Sequence, residues 1–274
     1  MYSFPPSIKP LINRLVHQEK YGIVIHKKNV YFDFVSAVPI PPHVPQAAAD
    51  VVRYLWPYRK CREHSFTAEF FFCDAPKILP EKGVTLEEDH VNTGYSIPCE
   101  SLVVFRKQEW FKVFIHECFH YLGLDKGLAE TVELNMFNLP IAVSIRESFC
   151  EVWARLLQCK FLGGLQRERV HSVRNMVRVL RHNGLVYSDL WQEKGVNYKE
   201  NTNVFAYVML SAILMHDTKA FVEAFPRLVG KVSTLMDLIY RNYKAPAFLR
   251  RVAKAEAEPS EKGPFRMSVV ELNF

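Results

Sequence analysis

The sequence lacks a long apolar run that is uninterrupted by charge. Its N-terminal stretch, MYSFPPSIKPLINRL, contains prolines and charged residues where a secretion signal has a continuous apolar segment. No later stretch approaches the uncharged length of a membrane span, about 20 residues. These absences predict a protein that is neither secreted nor bound to a membrane, and the expected location is the cytoplasm.

Paired cysteines are missing as well. Six cysteines are spread along the chain with no CxxC spacing: Cys61, Cys73, Cys99, Cys118, Cys150 and Cys159. Redox motifs, zinc ribbons and disulfide frameworks use cysteines at paired or regular spacings. We therefore expect all six to be reduced thiols, as in a cytoplasmic protein.

Basic residues are in excess but are not clustered. The formal net charge is +6 and the pI is about 8.9, yet no segment forms a long basic run. Nucleic-acid binding usually shows a basic patch or stripe, so the sequence gives no specific signal for it. The excess charge favours acidic partners only in general terms. Internal repeats and low-complexity tracts are absent too, which is typical of an ordinary globular chain.

Strand-like and helical patterns alternate in the first part of the chain. Two β-rich runs, YGIVIH and VYFDFVSA, flank Lys27, Lys28 and Asn29 and predict a β-hairpin over residues 21–37. Apolar positions recur at helical spacing over 46–56, and strand patterns return at 65–72 and 101–105. The run KQEWFKVFIHECFHYLG at 107–123 then has strong helical periodicity, with Gly123 suited to its C-terminus.

Strand signals nearly vanish after residue 127. Amphipathic patterns predict helices at 127–137, 144–159, 169–181 and 201–215, and from the 230s to the 250s. After a polar break at 257–264, FRMSVVELNF is expected to form a last strand or a docked tail. The predicted fold class is α+β, with an α/β subdomain over 1–125 that ends in the helix at 107–123, and a helical subdomain over 126–274.

That helix contains HECFH, in which two histidines stand four residues apart. His116 and His120 fall on one helix face, where both imidazoles can bind one metal ion, with Glu117 beside them. A zinc ion there polarises a carbonyl and activates water, and the adjacent glutamate accepts the proton. We expect Zn²⁺ and a hydrolase with Glu117 as general base. In the alternative, both histidines are structural and no zinc binds.

A catalytic zinc usually has three protein ligands. The metzincin position for the third is occupied by Lys126, with Asp125 one residue out of register, and no histidine lies between His120 and His171, as SprT-like proteases would require. The remaining arrangement is the gluzincin one, in which a glutamate on a later helix is the ligand.

The stretch ESFCE at 147–151 fits that arrangement. Glu147 and Glu151 share a helix face, so we assign Glu147 as the third ligand and Glu151 as the acid that supports a ligand histidine. Other assignments stay open: Ser144 and Glu147 also form the S-x-x-E pattern of a capping box, and the two glutamates could exchange roles. The next ligand candidates are Glu130 and Glu133.

Residues outside the motif are weaker candidates. A tetrahedral intermediate needs a hydrogen-bond donor for its oxyanion, and we predict Tyr207 for this role, with His216 second and a core position as the alternative for Tyr207. His171, His182 and Tyr121 are weaker still. Either VNTGYS at 91–96 or the strand at 101–105 is expected to be the edge that pairs with an extended substrate. Cys118 is expected to pack in the core and to bind no metal.

The runs FRKQEWFKVFIHECFHYLGLD and RESFCEVWARLL resemble gluzincin-type zinc metallopeptidases, mainly over residues 101–160. With HVNTG and RMSVVEL, the pattern is also similar to metallopeptidase-like proteins of large DNA viruses. The resemblance implies a zincin-like fold and a peptide or protein substrate, for which the net charge favours acidic peptides. It gives His116, His120 and Glu147 as zinc ligands, Glu117 as base and Glu151 as supporting acid. The alternatives are a catalytically silent protein of that fold, or a zinc hydrolase of a non-peptide amide or ester.

Overall fold

The protein has a mixed α/β architecture with a small sheet near its N-terminus and mostly helices after it. The computed structural model describes residues 4–17, 21–27, 29–61, 65–139, 141–192 and 196–274. The hairpin predicted over 21–37 is present, although Lys28 in its turn lies outside the described residues. The strands predicted at 65–72 and 101–105 and the motif helix are present as well.

Five strands form the sheet in the described part of the chain: β1 (Tyr21–Lys27), β2 (Val30–Ser36), β3 (Phe66–Phe71), β4 (Gly94–Ile97) and β5 (Ser101–Val104). Their order is β1-β2-β3-β5-β4. The pairs β2–β3 and β3–β5 are parallel, while β1–β2 and β4–β5 are antiparallel. β4 is therefore an edge strand, and β5 is an inner one.

The helices have the following bounds: α1 Lys9–His17, α2 His43–Leu55, α3 Glu88–Val91, α4 Trp110–Tyr121, α5 Ile145–Leu162, α6 Leu165–His182, α7 Asp189–Gln192, α8 Ser211–Leu214, α9 Thr218–Ala224, α10 Val232–Asn242 and α11 Pro246–Ala257. A 3₁₀ turn follows α2 at Trp56–Tyr58, a π-helical turn precedes α8 at Phe205–Leu210, and a 3₁₀ turn follows α8 at Met215–Asp217.

Alternation of side chains along the strands buries both faces of the sheet. Phe34 of β2 stacks on Phe70 of β3 with ring centroids 4.4 Å apart, and Phe70 contacts Phe114 of α4. On the opposite face, Val103 packs in a cluster with Ile12 of α1. Because side chains along a strand point alternately to the two sides, the phenylalanine-rich pattern of β2 and β3 places α4 against one face of the sheet.

The segment 127–137 is not the helix that its apolar spacing predicts. It forms turns and an isolated bridge, in which Val132 and Val143 exchange two backbone hydrogen bonds of 2.9 Å. Within this irregular segment, the side chains of Leu134 and Phe137 are each buried in the core. Long-range packing of single side chains therefore overrides the helical periodicity, and Gly127, whose φ is +98°, further disfavours a helix here.

The last ten residues form a docked tail with no strand. The backbone N–H of Phe265 donates to the carbonyl of Lys77 at 2.7 Å, and the tail N–H of Val269 donates to the buried carboxylate of Glu168 at 3.0 Å. Trp110 at the start of α4 donates its indole N–H to the carbonyl of Leu272 at 3.3 Å. The tail thus closes the core beside the motif helix.

The expectation of six reduced cysteines is wrong for two of them. Cys61 and Cys99 form a disulfide, and Cys73, Cys118, Cys150 and Cys159 are free and buried. The pairing was not visible in the sequence because 38 residues separate the two cysteines. The fold brings them together at the C-terminal end of α4, where the N–H of Cys99 donates to the carbonyl of Tyr121 at 2.9 Å.

One stretch of the described chain, Phe205–Ala224, is long and apolar enough to cross a membrane, with a mean hydropathy of 1.2. It contains Asp217, Lys219 and Glu223, so it does not reach the uncharged length that the sequence expectation concerned. Most of it, 61%, is buried inside the fold, as in the core helix of a soluble protein. It is weak support for a membrane span.

Candidate metal centre

Helix α4 is buried on every side, although it carries several polar residues. All twelve of its residues are buried, among them Lys112, His116 and His120, which follow one another at intervals of four residues. Such spacing places the three on one face of the helix. Buried polar groups need partners, so the element that packs on this face has to supply them.

Helix α5 supplies the partners with a matching polar stripe of Glu147, Glu151 and Arg155. Nζ of Lys112 donates to both carboxylate oxygens of Glu151, at 2.9 and 2.8 Å. At the other end of the stripe, His120 contacts Glu147. The two helices therefore pair in an antiparallel sense along these stripes. The start of α5 is set locally, because the side chain of Ser144 accepts a hydrogen bond from the backbone N–H of Glu147 and caps the helix. This cap places Glu147 in the first turn of α5.

Three ligand atoms converge between the helices. Nε2 of His116 lies 3.1 Å from Nε2 of His120, and Oε2 of Glu147 lies 3.2 Å from each of the two nitrogens. In a tetrahedral zinc site with bonds of about 2.0–2.1 Å, neighbouring ligand atoms are about 3.3 Å apart. The triangle therefore has nearly the dimensions of three ligand positions around one small cation.

The other nitrogen of each ring faces a carboxylate. Nδ1 of His120 lies 2.6 Å from Oδ2 of Asp125, and Nδ1 of His116 lies 3.2 Å from Oε2 of Glu151, although the latter contact is not aligned as a hydrogen bond. A proton on each Nδ1 is favoured by these acids. In each ring this leaves Nε2, the nitrogen that faces Glu147, as the atom that can bind a metal ion.

Neighbouring charged groups shift the pKa values of the ligand residues. Burial alone lowers the pKa of His120, but Cys150, Glu147 and Asp125 raise it well above the usual value. Burial alone raises the pKa of Glu147, but His120 and His116 bring it well below the usual value. The carboxylate of Glu147 is therefore ionised at neutral pH, as a metal ligand must be.

A chain of buried ions holds Glu151 in place. Arg155 donates to Glu151 at 2.9 Å and to Glu168 of α6 at 3.1 Å, and all three side chains are at most 1% exposed. Burial alone raises the pKa of Glu151, but Lys112 and Arg155 lower it well below the usual value. Glu151 is thus a fixed negative charge behind the ring of His116.

Glu117 lies beside the triangle and is held from the edge strand. Ser96 of β4 donates its hydroxyl to Oε2 of Glu117 at 2.8 Å. Two residues earlier, β4 passes so close to α4 that a Cβ on Gly94 would lie 2.7 Å from the carbonyl of Val103 and 2.9 Å from Val113. Only glycine fits at this close approach, which brings Ser96 within reach of the motif helix.

Tyr207 stands over the ring of His116, with centroids 5.7 Å apart, in the π-helical turn Phe205–Leu210. Burial first, and then the charges of Glu147 and Glu117, raise the pKa of its phenol well above 10, so that it keeps its proton. Tyr207, His116, Glu117 and Met267 line a cavity of about 30 Å³. This space holds about one water molecule.

No family model matches this chain. No curated protein matches it in sequence, and no solved structure matches it either.

The fold separates the remaining candidates from the triangle. Glu130 has a side chain that is 85% exposed and contacts Arg146, and Glu133 is exposed on the surface. His216 contacts Phe248 and Arg251. Each therefore lies in a different environment from the ligand triangle.

Two more predictions concern neighbours of the motif. Cys118 is fully buried in the hydrophobic core, as expected, and burial raises the pKa of its thiol well above 9. Of the two candidate edges, β4, which overlaps the segment 91–96, is the edge strand and β5 is not.

A second cluster, His120, Asp125 and Cys150, has ligand atoms close together, but it shares the His120 ring with the triangle. Cys150 lies 3.8 Å from Nδ1 of His120, and burial raises the pKa of its thiol to about 12. A thiol that stays protonated is a poor metal ligand. Nδ1 of His120 is already engaged by Asp125, so this cluster supports the ring and leaves Nε2 for the triangle.

Three residues that surround the site were not predicted from the sequence. Asp125 received no role because it is one residue out of the metzincin register, and Ser96 and Lys112 were not considered. Lys112 had a visible signal, since it extends the spacing of His116 and His120 by one turn. The positions of Asp125 and Ser96 depend on the turn after α4 and on the sheet edge, which no local pattern specifies.

Proposed function

We propose that this chain is a zinc-dependent hydrolase of the gluzincin type, with a zincin-like fold, that cleaves peptide bonds. The observation that supports it best is the triangle of His116, His120 and Glu147, whose ligand atoms lie 3.1–3.2 Å apart with an acid behind each ring. Bound zinc would supply Lewis-acid chemistry, polarising a carbonyl and activating water.

Glu117 is the general base in this proposal. Its carboxylate lies beside the ligands, and its Oε2 accepts a hydrogen bond from Ser96, which fixes its orientation. Within the described structure its Oε1 is then the oxygen that can take a proton. The proton then passes from Glu117 to the leaving amine. A structural zinc site needs no such carboxylate, so Glu117 favours the enzyme over a catalytically silent protein of the same fold.

Tyr207 is the proposed donor to the oxyanion. Its pKa lies well above 10, so the phenol has a proton to donate at neutral pH, and it lines the same cavity as Glu117. Gly94, the first residue of edge strand β4, is in the wall of this cavity. An extended peptide that adds to such an edge would bring its backbone carbonyl toward Glu117. This favours a peptide over a small ester or another amide as substrate.

Zinc content and peptide cleavage test the proposal together. We expect about one zinc per chain by elemental analysis of protein purified without chelator. His116→Ala and Glu147→Ala should lose most of the metal, while Glu117→Gln should keep it. In a peptide-library cleavage assay, the wild type should be active and Glu117→Gln inactive.

Each outcome has a distinct meaning. A wild type without metal would overturn the zinc site. Cleavage that survives in Glu117→Gln would overturn the assigned base. Metal binding with no cleavage in the library, but with turnover of simple amides or esters, would favour the non-peptide hydrolase. A loaded protein that is inactive on every substrate would favour the silent binding protein.

A further inference from the structure

A basic groove lies along α6, away from the metal triangle. It consists of two adjoining depressions of about 570 and 480 Å³ that share Arg178. We name it the α6 groove. Its cationic side chains are Lys82, Arg167, Arg174, Arg178, Arg181 and Arg266, against which it has two acids among the described lining residues, Asp189 and Glu261.

Part of this positive charge has no paired carboxylate among the described residues. Arg178 donates to the carbonyls of Gly263 and Pro264, and Arg181 donates to the carbonyls of Glu256 and Glu258. A carbonyl satisfies the hydrogen bond but leaves the charge in place. By contrast, Arg174 is paired with the carboxylate of Glu258, and Arg266 with that of Glu271. At Arg178 and Arg181, toward the C-terminal end of α6, the groove therefore keeps positive charge, which the nearby Glu261 offsets only in part.

The groove also presents apolar side chains to solvent. Val170, Val186 and Val269 line it and are 41%, 46% and 41% exposed. The described lining residues include no Phe, Tyr or Trp. Proteins that bind single-stranded nucleic acid usually stack bases on such rings. Valines set between arginines match a chain that alternates acidic and apolar side chains.

We propose that the α6 groove binds an extended acidic peptide segment. From Arg167 to Arg181, α6 rises by about 21 Å at 1.5 Å per residue. An extended chain covers that distance in about six residues. The predicted ligand is therefore a short stretch rich in Asp and Glu with interspersed apolar residues, which contacts Arg178 and Arg181 toward one of its ends.

The groove and the metal triangle lie on two sides of one segment of the tail. Arg266 and Val269 line the groove, while Met267 between them lines the cavity beside His116 and Glu117. A segment bound in the groove is thus separated from the catalytic cavity by this part of the tail. The binding of an acidic peptide in the groove does not depend on the proposed hydrolase function. The idea that this peptide is part of the substrate does rest on that function.

Fluorescence anisotropy of the full chain tests the binding without any catalysis. The probe is a labelled peptide of Glu-Glu-Leu repeats, and its control has Gln in place of Glu. We expect the acidic probe to bind and the Gln control to bind at least about tenfold more weakly, with affinity falling as salt rises. Lys82→Glu combined with Arg167→Glu should weaken binding about tenfold. Both residues are exposed, and neither has an ion pair in the described structure.

The matched control is Arg227→Glu with Lys231→Glu, two exposed cations outside the groove. This pair changes the net charge by the same amount and should leave the affinity unchanged. Equal weakening by both pairs, or no binding by the wild type, would overturn the groove. Tighter binding of a single-stranded oligonucleotide that displaces the peptide would overturn the peptide as ligand.

If the groove serves the hydrolase, the Lys82 and Arg167 variant should raise KM about tenfold for a peptide substrate that carries the acidic stretch. Its kcat should not change, and a substrate without that stretch should be cleaved equally by variant and wild type. An unchanged KM beside weakened anisotropy binding would leave the binding site standing and overturn its role in substrate capture.

Discussion

Nδ1 of His120 lies 2.6 Å from Oδ2 of Asp125, five residues further along the chain. Asp125 in turn contacts Arg146, the residue before Glu147. One carboxylate therefore links the turn after α4 to the start of α5 and orients a ring of the metal triangle. Because burial of Asp125 leaves it 2% exposed, this orientation is held by contacts that water cannot replace.

Removal of the Asp125 carboxylate should weaken zinc binding about 10–100-fold, the usual effect of losing the acid behind a ligand histidine. We expect Asp125→Ala to lose more affinity than Asp125→Asn, whose side-chain oxygen can still accept from Nδ1. Competition with a metal-sensitive dye measures this. The exposed Asp237→Ala is the control. If Asp125→Ala binds zinc as tightly as the wild type, the positioning role is wrong.

The buried pair of Lys112 and Glu151 should be costly to break. Lys112→Met removes one of the cations that contact the buried carboxylate of Glu151. Loss of one partner of a buried ion pair typically lowers the free energy of unfolding by about 3–5 kcal/mol. Urea denaturation of the metal-free protein measures it, with Lys126→Met, an exposed site, as the matched control. The double variant Lys112→Met with Glu151→Leu should regain stability but should not regain zinc affinity. Recovery of both would show that Glu151 does not support His116.

The thiols should titrate in three steps. Native protein should react slowly with Ellman's reagent, because the four free cysteines are buried and burial raises the pKa of Cys73 to about 11 and of Cys159 to about 12. Unfolding without reductant should expose four thiols, and reduction should expose six. Six thiols in unfolded, unreduced protein would contradict the disulfide.

Loss of the Cys61–Cys99 bond should destabilise the chain by about 3–4 kcal/mol, from the loop of 38 residues that it closes. The variant with both cysteines changed to serine measures this in urea. Cys159→Ser, which removes a buried free thiol, is the comparison. Equal stability of the double variant and the wild type would contradict the expectation.

Glu200 should make stability depend on pH. Its carboxylate accepts from the N–H of Phe205, where the π-helical turn with Tyr207 begins, and burial raises its pKa to about 7. Between about pH 4.5 and 7 the folded state then holds more protons than the unfolded state, so this group's contribution to stability falls as pH rises through that window. Glu200→Gln should remove the dependence.

Thermal unfolding from pH 5 to 8 measures the difference between the two proteins. We expect the melting temperature of Glu200→Gln to increase relative to that of the wild type as pH rises. A constant difference between them across the range would mean that Glu200 does not titrate there.

Several features of this protein followed from its sequence alone. Period-two alternation in VYFDFVSA and SFTAEFFF specified strands, since burial on a sheet face requires it, and helical periodicity specified α4 with His116 and His120 on one face. The spacing of Glu147 and Glu151 placed both on one face of α5. These are local properties, because each depends on residues that are close to one another in the sequence.

Only the tertiary structure decided the rest. The antiparallel packing of α4 on α5 brings Glu147 to the two histidines and leaves Glu130 and Glu133 elsewhere. Long-range contacts turned 127–137 into a loop, closed the bond between Cys61 and Cys99, and set Ser96 beside Glu117. In each case the deciding interaction joins residues whose distance depends on the whole fold, and no local pattern of side chains records such a distance.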